Sequence, residues 1–128
     1  MNGKVEAYWE KSKENLAVYG FARSRGHWNA AASRYYYALL LAALALLEKH
    51  KEDYSTRGNR HFLHLAIEKC LRTSGHVLDN VTRFLKESLD LRAKADYEDL
   101  PVEEHELKRV RNNCVFIWRS ISKELNIC

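Results

Sequence analysis

The chain has 128 residues, of which 46% are apolar and 30% are charged, with a net charge of +4. This composition excludes an intrinsically disordered protein, and the length suits a single domain covering residues 1–128. A many-stranded β fold needs a turn about every 8 to 12 residues. The chain contains one proline, Pro101, and five glycines. So few chain breakers favour long helices.

The three cysteines, Cys70, Cys114 and Cys128, do not have the CxxC spacing of a zinc knuckle. Their odd number also argues against a disulfide framework. The N-terminus is polar and lacks the apolar core of a signal peptide. The longest apolar block, Tyr35–Leu47, is shorter than the about 18 to 20 residues of a membrane span. We therefore expect a cytoplasmic protein that does not contact a membrane.

Apolar residues recur at helical spacing along the chain. A first helix is predicted over residues 4–25, and Gly26 suits the position that follows its end. A second helix, predicted over residues 28–50, is apolar nearly all round, as the central helix of a bundle should be. Asn59 can cap a third helix that ends at Gly75.

A fourth helix is predicted over residues 77–95, with an apolar face that includes Leu78, Leu85 and Leu89. The last helix has Pro101 in its first turn, where the missing N–H is harmless. Its apolar residues follow one another at steps of three and four, the spacing of a bundle seam: Leu107, Val110, Cys114, Ile117, Ile121 and Leu125. Short connections would make consecutive helices antiparallel. The prediction is an all-α, up-and-down antiparallel bundle of four to five helices.

Arg92 falls on the apolar stripe of the fourth helix, three residues after Leu89 and seven after Leu85. Burying a guanidinium is costly unless partners satisfy it. Asp96 and Tyr97 follow four and five residues later, so the three side chains can form a small cluster. Alternatively, Arg92 extends its aliphatic stem over the end of the bundle and pairs with Asp96 at the surface.

Two motifs follow each other with the order and spacing of a known family. Residues 32–38, with the sequence ASRYYYA, look like an SRxYYA motif that opens a central helix, and residues 91–97, LRAKADY, look like an R-x-x-A-D-Y motif. Between them, residues 60–62 contain a histidine directly after a polar loop. In these features the chain resembles the HEPN family of small helical bundles, over about residues 5–125.

The resemblance implies a homodimer that is often encoded beside a minimal nucleotidyltransferase as a toxin–antitoxin pair. Active family members are metal-independent ribonucleases, and the R-x4-6-H motifs of two subunits meet at the dimer cleft. Arg92 matches the motif arginine, but the residue at the x4 position is Tyr97 and the next histidine is His105. A phenol with an ordinary pKa of about 10 is a poor general base at neutral pH.

The resulting hypothesis is a HEPN-like homodimer that binds RNA or nucleotide near Arg92, Asp96 and Tyr97, with weak or no ribonuclease activity and without a cofactor. In this hypothesis a minimal nucleotidyltransferase is the partner. The alternative is a catalytically inert helical interaction or scaffold module, which the missing histidine favours.

A basic stretch around the start of the third helix contains Arg57, Arg60, His61 and His64 against the lone acid Glu68. These basic residues are candidates for binding phosphates, and a solvated basic face is the alternative. Arg57 and His64 match R-x6-H by letter, but they lie far from the end of the fourth helix, so we interpret the match as coincidence. His61, His64 and Glu68 would need further ligands to hold a metal, and we predict no metal site.

Arg34 stands at the edge of the apolar block of the second helix. It is a candidate for nucleotide binding, or for a salt bridge between helices or subunits. The neighbouring Tyr35, Tyr36 and Tyr37 point in three directions on a helix, so at least two of them should be in the core. Stacking on nucleic-acid bases is the alternative role of such tyrosines.

Overall fold

The computed structural model describes residues 3–51, 59–76 and 78–126. This part of the chain consists of helices, turns and bends and contains no strand, which confirms the all-α prediction. In chain order the helices are α1 (Gly3–Ser24), α2 (Trp28–Lys49), α3 (Arg60–Thr73), α4 (Val81–Tyr97) and α5 (Glu104–Leu125).

The apolar helix α2 lies at the centre of the bundle and packs against the other four helices. The helix extends beyond the apolar block at both ends, so by length and composition alone it could cross a membrane. However, 72% of its most apolar 18-residue segment is buried inside the bundle. The Ser12 hydroxyl of α1 donates a hydrogen bond of 2.6 Å to the carbonyl oxygen of Ala38 in α2. Such a close approach is possible because α2 is rich in alanine. α2 is therefore packed as the core helix of a bundle.

The consecutive pairs α1/α2, α3/α4 and α4/α5 are antiparallel, as predicted. The helices α2 and α3 run in the same direction instead. The Tyr36 hydroxyl lies 3.2 Å from Nε2 of His64, and Nε2 of His50 lies 3.4 Å from the Ser74 hydroxyl. A connection as long as residues 51–59 can span about 26 Å. That exceeds the roughly 20 Å that α2 rises from Tyr36 to its end, so α3 can begin beside the middle of α2.

The start of α3 is confirmed, and the start of α4 is not where the sequence predicted it. The side chain of Asn59 caps α3 by accepting hydrogen bonds from the backbone N–H groups of His61 and Phe62. α4 begins four residues later than predicted, at Val81, because the preceding Asn80 adopts a left-handed φ of 63°. Leu78, predicted on the apolar face of α4, lies before the helix but still packs against the core.

α5 begins at Glu104, so the prediction that Pro101 lies in its first turn is wrong. The helix starts later because Glu103 and Glu106 form a reciprocal capping box, in which the backbone N–H of Glu103 donates to the Glu106 carboxylate at 3.0 Å. The predicted seam of α5 is confirmed, since all six of its residues are buried: Leu107, Val110, Cys114, Ile117, Ile121 and Leu125.

Candidate functional site

Arg92 lies in the second half of α4, on the core-facing stripe where the sequence predicted it. Only 13% of its side chain is exposed. Its guanidinium carbon lies 5.4 Å from the ring centre of Tyr37, 5.6 Å from that of Tyr97 and 6.0 Å from that of Tyr36. Cations at such distances are attracted to the negative faces of aromatic rings. Three tyrosines therefore enclose the Arg92 guanidinium.

The hydrogen-bonding capacity of Arg92 is incompletely used. Its Nη1 lies 3.8 Å from a carboxylate oxygen of Asp96, a loose ion pair one turn apart on α4. Its Nε is buried and has no hydrogen-bond acceptor among residues 3–51, 59–76 and 78–126. A buried donor without an acceptor costs about 1–3 kcal/mol. The residues around the guanidinium thus satisfy its donors only in part.

The two sequence motifs meet at Asp96. The Ser33 hydroxyl of α2 donates to the Asp96 carboxylate at 3.3 Å. The neighbouring Arg34 donates to the Ser33 hydroxyl at 3.4 Å and to the amide oxygen of Asn15 in α1 at 3.1 Å. The Arg34 guanidinium carbon also lies 4.9 Å from the ring centre of Tyr37. Both motifs are therefore parts of one site.

We call this site the arginine cluster, and it consists of Ser33, Arg34, Tyr37, Arg92, Asp96 and Tyr97. Two guanidiniums, those of Arg34 and Arg92, approach the same tyrosine ring, and one carboxylate lies beside them. The charge of the cluster is therefore positive. Planar guanidiniums donate several hydrogen bonds in a fixed geometry, and phosphate oxygens match that geometry well. Chemically, the arrangement suits binding of a phosphate group.

Tyr97, which occupies the position of the motif histidine, lies at the end of α4 with 78% of its surface exposed. The sequence predicted that it would stand near Arg92 and Asp96, and the distance of 5.6 Å between the Arg92 guanidinium and its ring confirms this proximity. Ser33 and Tyr37 were not singled out as site residues. Their place within the SRxYYA motif was the signal that could have identified them.

His64 is buried, with 1% of its surface exposed, and its Nε2 lies 3.2 Å from the Tyr36 hydroxyl. Burial lowers the pKa of His64 to about 4, and the nearby Arg60 and His61 act in the same direction. The imidazole is therefore neutral at pH 7. Burial also raises the pKa of Tyr36. Ile67, three residues after His64, lies on the buried stripe of α3. This spacing could have identified His64 as a core residue.

The predicted basic patch is thus divided by the structure. Arg60 and His61 are exposed at the start of α3, whereas His64 faces the core and not the surface. Arg57 lies outside the described residues. A surface ligand at the start of α3 can therefore contact Arg60 and His61 but not His64 in this conformation.

The expectation that at least two of the three consecutive tyrosines are in the core is confirmed. Tyr35 and Tyr36 are 4% and 0% exposed, and Tyr37 is half-buried. The Tyr35 hydroxyl donates to the carbonyl oxygen of Arg111 in α5 at 3.4 Å, and burial raises the pKa of Tyr35. Tyr37 is therefore the one of the three that faces the arginine cluster.

Within the described residues, no group of three or more histidine, cysteine, aspartate or glutamate side chains is arranged to hold a metal ion. Cys70 and Cys114 are buried and are not bridged by a disulfide, and burial raises the pKa of the Cys114 thiol to about 12. Cys128 lies outside the described residues. The candidate site consists of cationic, carboxylate, hydroxyl and phenol groups.

Fold and site together define an all-α bundle whose central and fourth helices hold a pair of arginines around a tyrosine, an arrangement with a positive charge. The sequence model of the HEPN domain matches residues 5–125, nearly the whole chain. The protein therefore belongs to the HEPN domain family, which confirms the resemblance seen in the two motifs. No curated protein and no solved structure matches the chain.

Proposed function

We propose that this HEPN-domain protein binds the phosphate of an RNA or a nucleotide at the arginine cluster and has weak or no ribonuclease activity. The observation that carries this proposal is the state of Arg92, a mostly buried side chain with a loose ion pair and a buried Nε that has no acceptor among the described residues. A purely structural arginine would have its donors satisfied. An anionic ligand would balance the charges of the two guanidiniums, Arg92 and Arg34, beside which the Asp96 carboxylate lies.

Among the residues that the structure describes, no histidine belongs to the arginine cluster, which supports binding without efficient cleavage. Cleavage of RNA through its own 2′-OH needs a general base that works near neutral pH, usually histidine. His64 is neutral but buried behind Tyr36, and His105 pairs with Glu103 at the start of α5. Tyr97 is a phenol at the edge of the cluster. In the proposed role Arg92 holds a phosphate, Asp96 orients Arg92, and Tyr97 donates a hydrogen bond or accepts a modification.

A stripe on α2 supports the homodimer that the HEPN family implies. Arg34, Tyr37, Leu41 and Leu44 stand at steps of three, four and three and are half-buried on a helix that is otherwise largely buried. This spacing places them along one line on the helix surface, as in the seam between paired helices. A second copy that packs its own stripe against this one would bury the leucines and bring two arginine clusters near each other.

Membership of the family is the support for the partner that we propose, a minimal nucleotidyltransferase in the cytoplasm, in a pair of the toxin–antitoxin type. Tyr97 is exposed enough for a partner enzyme to reach its hydroxyl. The partner test is co-expression with the product of the adjacent open reading frame. Co-purification of a nucleotidyltransferase supports this part of the proposal, and its failure removes the partner while leaving ligand binding untouched.

The central experiment measures the affinity of purified protein for a structured RNA and for a nucleotide, without metal ions, in the wild type and in Arg92→Ala. Loss of a charge-assisted phosphate contact should weaken binding at least about tenfold. The control is Lys86→Ala, which removes an exposed cation that pairs with an aspartate four residues on, as Arg92 does. Equal affinities of all three proteins would contradict the proposed site.

The same variants test the second candidate, a catalytically inert scaffold module, which the tyrosine at the histidine position favours. A scaffold predicts that Arg92→Ala lowers the melting temperature but does not change any RNA signal.

The dimer is tested by light scattering of Leu41→Asp against Val18→Asp, a change at an exposed apolar residue of α1. A wild-type protein that stays monomeric at micromolar concentration contradicts the dimer.

A further inference from the structure

A groove of about 450 Å³ lies between the end of α1, the start of α2 and the first turns of α5. It shares no lining residue with the arginine cluster. Tyr35 separates the groove from the core of the bundle, since its ring lies 4.8 Å from that of Tyr19 in the groove lining and its hydroxyl binds the backbone of Arg111. Binding sites for small molecules have volumes of about 300–1,000 Å³. The groove is therefore large enough for a small ligand.

The walls of the groove carry excess positive charge. Three cations, Arg23 of α1 and Lys108 and Arg111 of α5, line it together with one acid, Glu104. None of these three cations forms a salt bridge with any residue that the structure describes. Unpaired cations that converge on one concave surface raise the local concentration of anions. The groove is thus complementary to a ligand with a phosphate.

The floor of the groove is apolar and partly aromatic. Leu107 and Tyr19 are 2% and 6% exposed, and the indole of Trp28 is half-buried beside them. Apolar and aromatic surface next to a few charged groups is the usual composition of a small-molecule site. A flat heterocyclic ring attached to a phosphate would match both the floor and the walls.

Gly20 lines the groove from α1 and lies beside open space. It lies in the interior of α1, where a glycine destabilises a helix relative to alanine. Its φ is not in the left-handed region, so the backbone conformation does not require a glycine there. A Cβ at this position would meet no atom within 4 Å. The wall of the groove therefore has free space at this position, which a large side chain could fill.

We propose that this groove binds a nucleoside monophosphate, with the phosphate between Arg23, Lys108 and Arg111 and the base against Trp28 and Leu107. This second site works independently of the arginine cluster. The proposal rests on the excess of cations and the aromatic floor, and it does not require that the arginine cluster binds RNA.

The test is isothermal titration of the full chain with AMP, adenosine and inorganic phosphate. AMP should bind more tightly than either fragment, because each fragment uses only half of the groove. Lys108→Glu should weaken AMP binding at least about tenfold, as expected for loss of a charge-assisted contact. The matched control is Arg109→Glu, the same charge change at the adjacent residue, which is exposed and does not line the groove.

Substitutions of Gly20 separate binding from folding. Gly20→Ala should raise the melting temperature and leave AMP binding within about twofold, because a methyl group fits the free space and favours the helix. Gly20→Leu should fill the groove and abolish binding while circular dichroism remains unchanged.

Three results would overturn the proposal. The first is wild-type protein that does not bind AMP at millimolar concentration. The second is AMP binding that Lys108→Glu leaves unchanged but Arg92→Ala removes, since the ligand would then occupy the arginine cluster. The third is wild-type protein that binds inorganic phosphate or an RNA oligonucleotide at least as tightly as AMP, with this binding lost in Lys108→Glu. The groove would then not select a nucleoside monophosphate.

Discussion

Replacing Arg92 with methionine separates a functional arginine from a structural one. Methionine has a similar length and fills the space between the tyrosines without charge. Arg92→Met removes the 3.8 Å ion pair to Asp96 and the contacts of the guanidinium with the rings of Tyr36, Tyr37 and Tyr97. It also removes the buried Nε that has no acceptor in the described part of the chain.

The gains and losses of this substitution are of similar size. The ion pair and the three cation–π contacts contribute about 0.5 kcal/mol each, about 2 kcal/mol together. Removing an unsatisfied buried donor returns about 1–3 kcal/mol. Replacement of a buried charged group by an apolar side chain of similar volume is often neutral or stabilising. We therefore expect a change in the free energy of unfolding within about 1 kcal/mol, which is roughly 3–5 °C in melting temperature for a chain of this size.

Urea denaturation followed by circular dichroism measures this change, alongside RNA affinity measured by fluorescence anisotropy. The expected result is unchanged or increased stability together with binding weakened at least about tenfold. Lys86→Met is the control for loss of a cation that pairs with an aspartate one turn on. A loss of more than about 2 kcal/mol with unchanged RNA affinity would refute the reasoning and make Arg92 a structural residue.

Three further predictions concern pH and the missing histidine. In the folded protein the pKa of His64 is about 4, whereas its ordinary value is 6.5. As the pH falls, the unfolded chain therefore binds the proton before the folded chain does. The contribution of neutral His64 to the free energy of unfolding should therefore be full above pH 6.5 and fall by about 3 kcal/mol as the pH drops towards 4. Urea titrations of the double variant His64→Leu/Tyr36→Phe should not show this loss. An unchanged pH dependence in the double variant would contradict the prediction. A hydrogen bond from His76 lowers the pKa of Glu124 below its ordinary 4.5, so its contribution is present above pH 4.5 and is lost as the pH falls through the folded value. Glu124→Gln should have a shallower loss of stability between about pH 5 and 3, and parallel curves for the two proteins would count against it. Finally, Tyr97→His should create metal-independent cleavage of structured RNA in the presence of a chelator; Tyr97→Phe is the control, and intact RNA with both variants would show that more than the histidine is missing.

Local sequence determines much of the bundle. The six seam residues of α5, spaced at steps of three and four from Leu107 to Leu125, are all buried in the structure. The cap at Asn59 forms as predicted, because a short polar side chain can reach the free N–H groups of the next turn. The inward position of Arg92 follows from the same periodicity. These features depend on residues within about two helical turns of each other, so they are readable without knowing the fold.

Helix boundaries are harder to predict from the sequence, because they depend on the conformation of single residues. The late start of α4 follows from the left-handed φ of Asn80, and the late start of α5 from the reciprocal bonds of Glu103 and Glu106. Glu103, Glu104 and Glu106 all suit the start of a helix, because acidic side chains favour the positive end of its dipole. Which of several suitable residues becomes the cap, however, is a competition of small energies within the folded chain.

Only the tertiary structure determines which residues the buried face of a helix contacts. The hydrogen bond between Ser33 and Asp96 joins residues 63 positions apart. The parallel course of α2 and α3 directs His64 to Tyr36 and away from the surface patch that its charged neighbours suggested. Periodicity states that a side chain points inward, but its partner depends on the direction and axial offset of the neighbouring helix, which are set by packing of the whole core.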